Sequence, residues 1–199
     1  MSQSALINIT LRRARRLFLS AALVACASVA WAQGPNRGWL WQNPLPQGNA
    51  IYAVRFASDK LTGWAVGADG VILHTTNGGY GWEEQKSQTP VPLYGLYVKD
   101  KRVAVAVGAR GVALVTTDGG GKWIARETGV KDHLYGIAFA PDALRGWAVG
   151  SYGRIIATND GGRTWKPQAS GVKAHLFAVA FADAKTGVAV GDGGALIVT

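Results

Sequence analysis

The chain has 199 residues, with 21 basic and 12 acidic side chains for a formal net charge of +9, a hydrophobic fraction of 48%, 27 glycines and a single cysteine. One cysteine excludes a disulfide framework, and with only three histidines there is no Cys/His cluster of metal-ligand spacing. Beyond an arginine-rich start, the basic residues are spread along the chain instead of forming runs, which argues against a nucleic-acid surface and for an acidic protein or anionic partner.

The first element in chain order is an export signal over residues 1–32. Arg12, Arg13, Arg15 and Arg16 precede the apolar run "LFLSAALVACASVA", and small residues at Ala30 and Ala32 fit a peptidase pocket, so cleavage is expected after Ala32. The apolar run is too short to span a bilayer comfortably, which takes about 20 residues. Two other signals overlap it. "LVAC" resembles a lipoprotein box that would anchor the chain at Cys26, and "RRLFL" resembles a twin-arginine signal. The expected location is periplasmic or secreted. Removing 1–32 leaves 17 basic against 12 acidic residues, a net +5, takes away Cys26, and leaves no transmembrane segment.

The rest of the chain repeats. Trp41, Trp82, Trp123 and Trp165 recur at intervals of 41, 41 and 42 residues, and Gly67, Gly108, Gly150 and Gly191 at 41, 42 and 41. Each unit reads as four short strands. The first ("IYAVRFA", "LYGLYVK", "LYGIAFA", "LFAVAFA") alternates with period two, placing Tyr135, Ile137 and Phe139 on one face and Leu134, Gly136, Ala138 and Ala140 on the other. A Gly-x-x-Gly hairpin joins the second strand to the third, and a turn of the type "TNDGG" leads into the fourth at Trp165. Strands apolar or small on both faces need cover on both. Four-stranded sheets arranged around an axis provide it, with a repeat just above forty residues.

The expected fold is therefore all-β, a β-propeller of four-stranded blades, with no helix after the signal. An N-terminal segment over 33–50 holds a closing strand at 41–45, and blades follow at 51–92, 93–133, 134–175 and an incomplete one at 176–199. Thr199 falls on the repeat position of Thr158, inside a turn the earlier units complete, so the chain reads as a fragment of a larger propeller.

The recurring turn comprises Thr75, Asn77, Gly79 and Trp82, then Thr116, Asp118, Gly120 and Trp123, then Thr158, Asp160, Gly162 and Trp165. Its expected role is structural. The Asp or Asn oxygen accepts turn N–H groups, paired glycines supply positive φ, and the Trp wedges against a neighbouring strand or blade. A phosphate loop would need a Lys and a following helix, and a calcium loop more oxygen ligands than the Asn77 copy offers.

These motifs resemble the Asp-box of bacterial neuraminidase repeats. The longer pattern from "GWAVG" to "DGGxxW" is similar to the photosystem II stability/assembly factor-like family over essentially all the chain after residue 38. In oxygenic phototrophs, members of that family are lumenal chaperones that help a reaction-centre subunit assemble. The resemblance implies a propeller binding module of six or seven blades, and it does not imply photosynthesis.

Function is thus expected to be non-catalytic protein binding, without metal or cofactor. The candidate partner rim is Asp69, Arg110, Tyr152 and Asp192, taken as the third hairpin position, with Lys131, His133, Lys173 and His175 from the segments leading into the first strands. Arg55 and Tyr97 stand where Ala138 and Ala180 stand in other units. Each is either an inter-blade structural group or a channel contact, with a structural ion pair the favoured role for Arg55. The alternative is a sialidase-like glycoside hydrolase with catalytic residues in further blades. The glutamates at hand, Glu83, Glu84 and Glu127, follow Asp-box tryptophans on outer strands and not at a central pocket.

Overall fold

The computed structural model describes residues 48–199; the expected signal at 1–32 and closing strand at 41–45 lie outside them. The described residues form successive antiparallel sheets with strands in chain order. The first sheet is β1 (Ile51–Phe56), β2 (Gly63–Gly67), β3 (Ile72–Thr75) and β4 (Glu83–Gln85). The second is β5 (Leu93–Val98), β6 (Ala104–Gly108), β7 (Ala113–Thr116) and β8 (Ile124–Arg126). The third is β9 (Leu134–Phe139), β10 (Gly146–Gly150), β11 (Ile155–Thr158) and β12 (Lys166–Gln168). The fourth has three strands: β13 (Leu176–Phe181), β14 (Gly187–Gly191) and β15 (Leu196–Val198). Strands β1, β5, β9 and β13 touch one another in succession, so the first strand of every blade is innermost.

Blades bury their faces against each other. Trp64, Ile72, Leu93, Leu96, Leu114 and Trp123 fill the space between the first two blades. Val105, Val115, Leu134, Phe139, Ile156 and Trp165 fill the next. Trp123 and Trp165 are 2% and 6% exposed, so each Asp-box indole closes the joint to the preceding blade. Truncating such a side chain costs about 3–5 kcal/mol. Trp82 is only half-buried; it meets Phe56 edge-on at 6.1 Å.

The Asp-box turns have one geometry in three copies. Thr158 Oγ1 donates to Asp160 Oδ1 at 2.8 Å and accepts from the Gly162 N–H at 3.0 Å. Thr116 does the same with Asp118 and Gly120, and Thr75 with Asn77 and Gly79. Gly161 and Gly162 adopt φ of 75° and 86°, as the turn demands. Burial pushes the Asp160 carboxyl up, but the Thr164 hydroxyl and N–H and the Thr158 hydroxyl outweigh it and hold it at about 2. A second carboxylate turn recurs between the first two strands of each blade. There Asp59, Asp100, Asp142 and Asp183 each accept the N–H groups two and three residues on.

The period-two reading of the first strands fails at one residue. In β9, Leu134 pairs with Gly150 and Gly136 with Val149, leaving Tyr135 without a partner. The same extra residue is Tyr52 in β1, Tyr94 in β5 and Phe177 in β13. This β-bulge flips the face order. Leu134 joins Ile137 and Phe139 against the preceding blade, where strict alternation would set it opposite them. Tyr135 is turned out of that set.

Candidate functional site

Hairpins follow the second strand of a blade and lead-in segments precede the first; because those strands are antiparallel, both meet at one end of the inner strands. Each hairpin is fastened there by main chain. Ser151 N–H donates to His133 O at 2.9 Å, as Ala109 does to Pro92 O, Ala68 to Ala50 O and Asp192 to His175 O. A Cβ on Gly150 would fall inside the His133 carbonyl, which explains the glycine opening the hairpin.

The hairpin tips are strained. Asp69, Arg110 and Tyr152 take φ of 53°, 56° and 55°, left-handed backbone that costs a non-glycine residue on the order of 1 kcal/mol. In the fourth blade that conformation belongs to Gly193, at φ 60°. Asp192 is therefore not the equivalent of Asp69, Arg110 and Tyr152. It occupies the preceding position, that of Ala68, Ala109 and Ser151, and its own carboxylate accepts the Gly193 N–H at 2.8 Å.

The lead-ins also reach backwards. His133 Nδ1 accepts the Arg110 N–H and His175 Nδ1 the Tyr152 N–H, both at 3.2 Å. In this neutral tautomer Nε2 carries the proton and is a donor. Pro92 holds the corresponding place in the second blade, so Asp69 has no imidazole cap. Only two side-chain ion pairs form among the described residues, Arg145 with Asp142 and Arg154 with Asp132. Arg154 sits just past the third hairpin, and its 2.8 Å bond to the lead-in carboxylate adds a lock. Arg110, Lys131 and Lys173 are exposed and have no carboxylate partner among the described residues.

The bulged residues line up. Ring centroids run from Tyr52 to Tyr94 at 5.4 Å, on to Tyr135 at 5.5 Å and on to Phe177 at 5.7 Å, tilted successively by 49°, 55° and 45°. One aromatic from each blade thus forms a continuous curved ladder beside the hairpins. His133 lies 6.3 Å from Tyr94 and His175 6.4 Å from Tyr135. Burial, then the neighbouring phenols of Tyr52 and Tyr135, push the Tyr94 hydroxyl above its ordinary value. Beside the third ring, a pocket of about 340 Å³ is lined by Lys131, Asp132, His133, Tyr135, Ser151, Tyr152 and His175. The sequence carried the signal for this ladder, since the second residue of every first strand is aromatic. Strict alternation hid it by assigning Tyr135 to the same face as Ile137.

Arg55 and Tyr97 part company. Both border a space of about 280 Å³ along the inner strands, with Ala138 and Ala180. Arg55 is exposed and gives Nη1 to its neighbour's carbonyl, Val54 O, at 2.8 Å. It forms no ion pair among the described residues. Tyr97 stacks on Phe139 of the next blade at 4.3 Å and 23°, an inter-blade contact. Burial, then Asp100 and Asp142, push its phenol up. Glu83 and Glu84 lie on β4 and Glu127 just beyond β8, on outer strands and away from the ladder pocket. No three His, Cys, Asp or Glu side chains converge as a metal site among the described residues.

No protein-family model and no curated protein sequence matches the chain. Solved structures do. YCF48 bound to D1 peptide is 22% identical with a TM-score of 0.60, over 74% of this chain and 48% of that one. YCF48 from Cyanidioschyzon merolae is 22% identical with a TM-score of 0.62, over 78% and 55%. The GH74 enzyme of Niastella koreensis is 15% identical with a TM-score of 0.61, over 74% and 28%. The chain spans about half the length of the YCF48 structures it matches. What these structures share with the chain is architecture: its blades are those of a β-propeller.

Proposed function

We propose that the chain is an exported, non-catalytic propeller module that binds a protein partner through the rim of hairpin tips and lead-ins. The observation that supports this reading is the contrast between backbone and side chain at the rim. Hairpins fastened by identical main-chain bonds present Asp69, Arg110 and Tyr152 at one backbone position, beside Lys131, His133, Lys173 and His175. A repeated scaffold with unlike, solvent-facing tips is an arrangement for reading an irregular surface. A YCF48 structure of the same architecture holds a peptide. The second reading, a glycoside hydrolase, is favoured only by the GH74 likeness. Its chemistry needs two carboxyl groups about 5–9.5 Å apart across a sugar, and the rim pocket is lined by Asp132 as its sole carboxylate, which is tied to Arg154. We place the chain in the periplasm or outside the cell, behind the signal at 1–32.

The test is capture of partners from a periplasmic extract by the wild-type chain and by Arg110→Glu/Lys173→Glu. Both positions are exposed, so the fold is preserved. Loss of the captured band supports the rim. Undiminished capture overturns the choice of face, and turnover of a sialoside or another common glycoside overturns the non-catalytic reading.

A further inference from the structure

We infer that the aromatic ladder and the pocket beside its third ring form one binding track for an extended acidic peptide, with apolar residues seated between the rings and a carboxylate in the pocket. The inference rests on the protein-binding reading above and names the chemistry of the bound segment.

Three observations carry it. First, the ladder is built by a defect repeated in every blade. A bulge spends one residue without a ladder partner, weakens the pairing locally and re-aims one side chain. Here all four bulges deliver an aromatic to the same curve. Core packing does not require this, because the face clusters of the blades are filled by Leu93, Leu134 and Leu176, the residues just before the bulge. The end rings Tyr52 and Phe177 are 50% and 53% exposed, and Tyr94 and Tyr135 between them are half-buried.

Second, ring geometry selects the ligand class. A pyranose stacks on an open flat face, but tilts of 45–55° at 5.4–5.7 Å turn each ring toward its neighbour. An extended or polyproline-type chain advances about 6–7 Å per two residues, close to one ring spacing per alternate side chain. Aromatic-lined grooves capture such peptides with little ordering cost to a preformed ligand. No protein group hydrogen-bonds the phenol oxygens of Tyr52, Tyr94 and Tyr135 among the described residues, leaving them to serve peptide carbonyls.

Third, charge selects the sequence. Arg110, Lys131 and Lys173 flank the track without carboxylate partners among the described residues, and His133 and His175 present Nε2–H donors beside them. The pocket sets Lys131, His175, Tyr135 and Tyr152 around one space of about 340 Å³, and its one carboxylate, Asp132, is already paired with Arg154. Donors and cations converging there accept an Asp or Glu side chain.

The test is selection of a random dodecapeptide phage library on the immobilised protein, followed by fluorescence polarisation with the winning peptides. Enrichment of Asp and Glu interspersed with apolar residues is expected. Winners should bind Tyr94→Ala/Tyr135→Ala and, separately, Lys131→Glu/Lys173→Glu at least tenfold more weakly. Glu83→Ala/Glu84→Ala on the outer strand should bind them unchanged. The lysine pair is exposed and keeps the test valid if the tyrosine pair fails to fold. A selected pool no more acidic than the input overturns the inference, as does binding indifferent to both variant pairs. Glycan-array binding that is lost in Tyr94→Ala/Tyr135→Ala would overturn it in favour of a sugar track. Partner capture that survives the ladder variants but not Arg110→Glu/Lys173→Glu would sink this inference alone and leave the rim reading standing.

Discussion

Gln85 ties two blades together through three hydrogen bonds. Its Oε1 accepts the indole N–H of Trp64 at 3.1 Å and that of Trp123 at 3.0 Å, while Nε2 donates to Gly119 O at 3.1 Å. Trp64 is wholly buried and Trp123 nearly so, and no other acceptor among the described residues serves either indole. Replacing Gln85 by Met keeps the volume and removes all three bonds. Each buried polar group left unpaired costs about 1–3 kcal/mol. Two indole donors and one carbonyl therefore predict a loss of at least about 3 kcal/mol, a large share of the 5–15 kcal/mol that holds a domain together. Urea unfolding followed by tryptophan fluorescence measures it. Adding Trp64→Phe to Gln85→Met should cost less than the two changes summed, because the second removes a donor that the first orphaned. A loss below about 1 kcal/mol for Gln85→Met, or strict additivity, would refute the account.

Four further outcomes are expected. Asp160 has its carboxyl held at about 2 against an ordinary 3.8, so its contribution is fully present above pH 4 and lost as pH falls from 4 toward 2. Asp160→Ala should lower stability at pH 7 by on the order of 1–2 kcal/mol and flatten the acid limb of a denaturation series in that window. Gly150→Ala forces a methyl into the His133 carbonyl and should cost about 1–3 kcal/mol by thermal melt. Tyr152→Gly relieves a left-handed tip at φ 55° and should raise stability by about 0.5–1 kcal/mol while weakening partner capture. Burial lowers the pKa of His74, whose ring lies 4.7 Å from Trp64. Its neutral form is therefore required, and its contribution to stability is complete above pH 6.5 and declines as pH falls below that; His74→Phe should lessen this decline in urea midpoints between pH 7 and 5.

The repeat made the architecture legible, because Gly67, Gly108, Gly150 and Gly191 and the Asp-box tryptophans mark the same points in each sheet. Thr158, Asp160 and Gly162 could be assigned turn roles from composition, since only a short polar acceptor beside paired glycines fits that geometry. The bulge was not legible. Its flanking residues are apolar or small on both faces, so one extra residue leaves no polar misfit to betray it. Asp192 misled for a related reason: "GDGG" offers two glycines for one left-handed place, and only the backbone shows that Gly193 takes it. Gln85 was hidden because its role depends on two indoles 21 and 38 residues away in the chain. The repeat carries it only in part: Gln168 stands at the same position in the third blade, but Arg126 does in the second, where its buried Nε has no partner among the described residues.

The way the hairpins are fastened bears on how such a protein changes over evolutionary time. The bonds from Ala68, Ala109, Ser151 and Asp192 to the lead-in carbonyls are made by peptide groups, which every replacement except proline retains. A tip residue can therefore mutate without loosening its blade. Selection on a new partner meets little resistance from selection on the fold, and duplication of a blade supplies another tip ready to diverge. The rim can be rewritten one position at a time while the architecture beneath it is inherited intact.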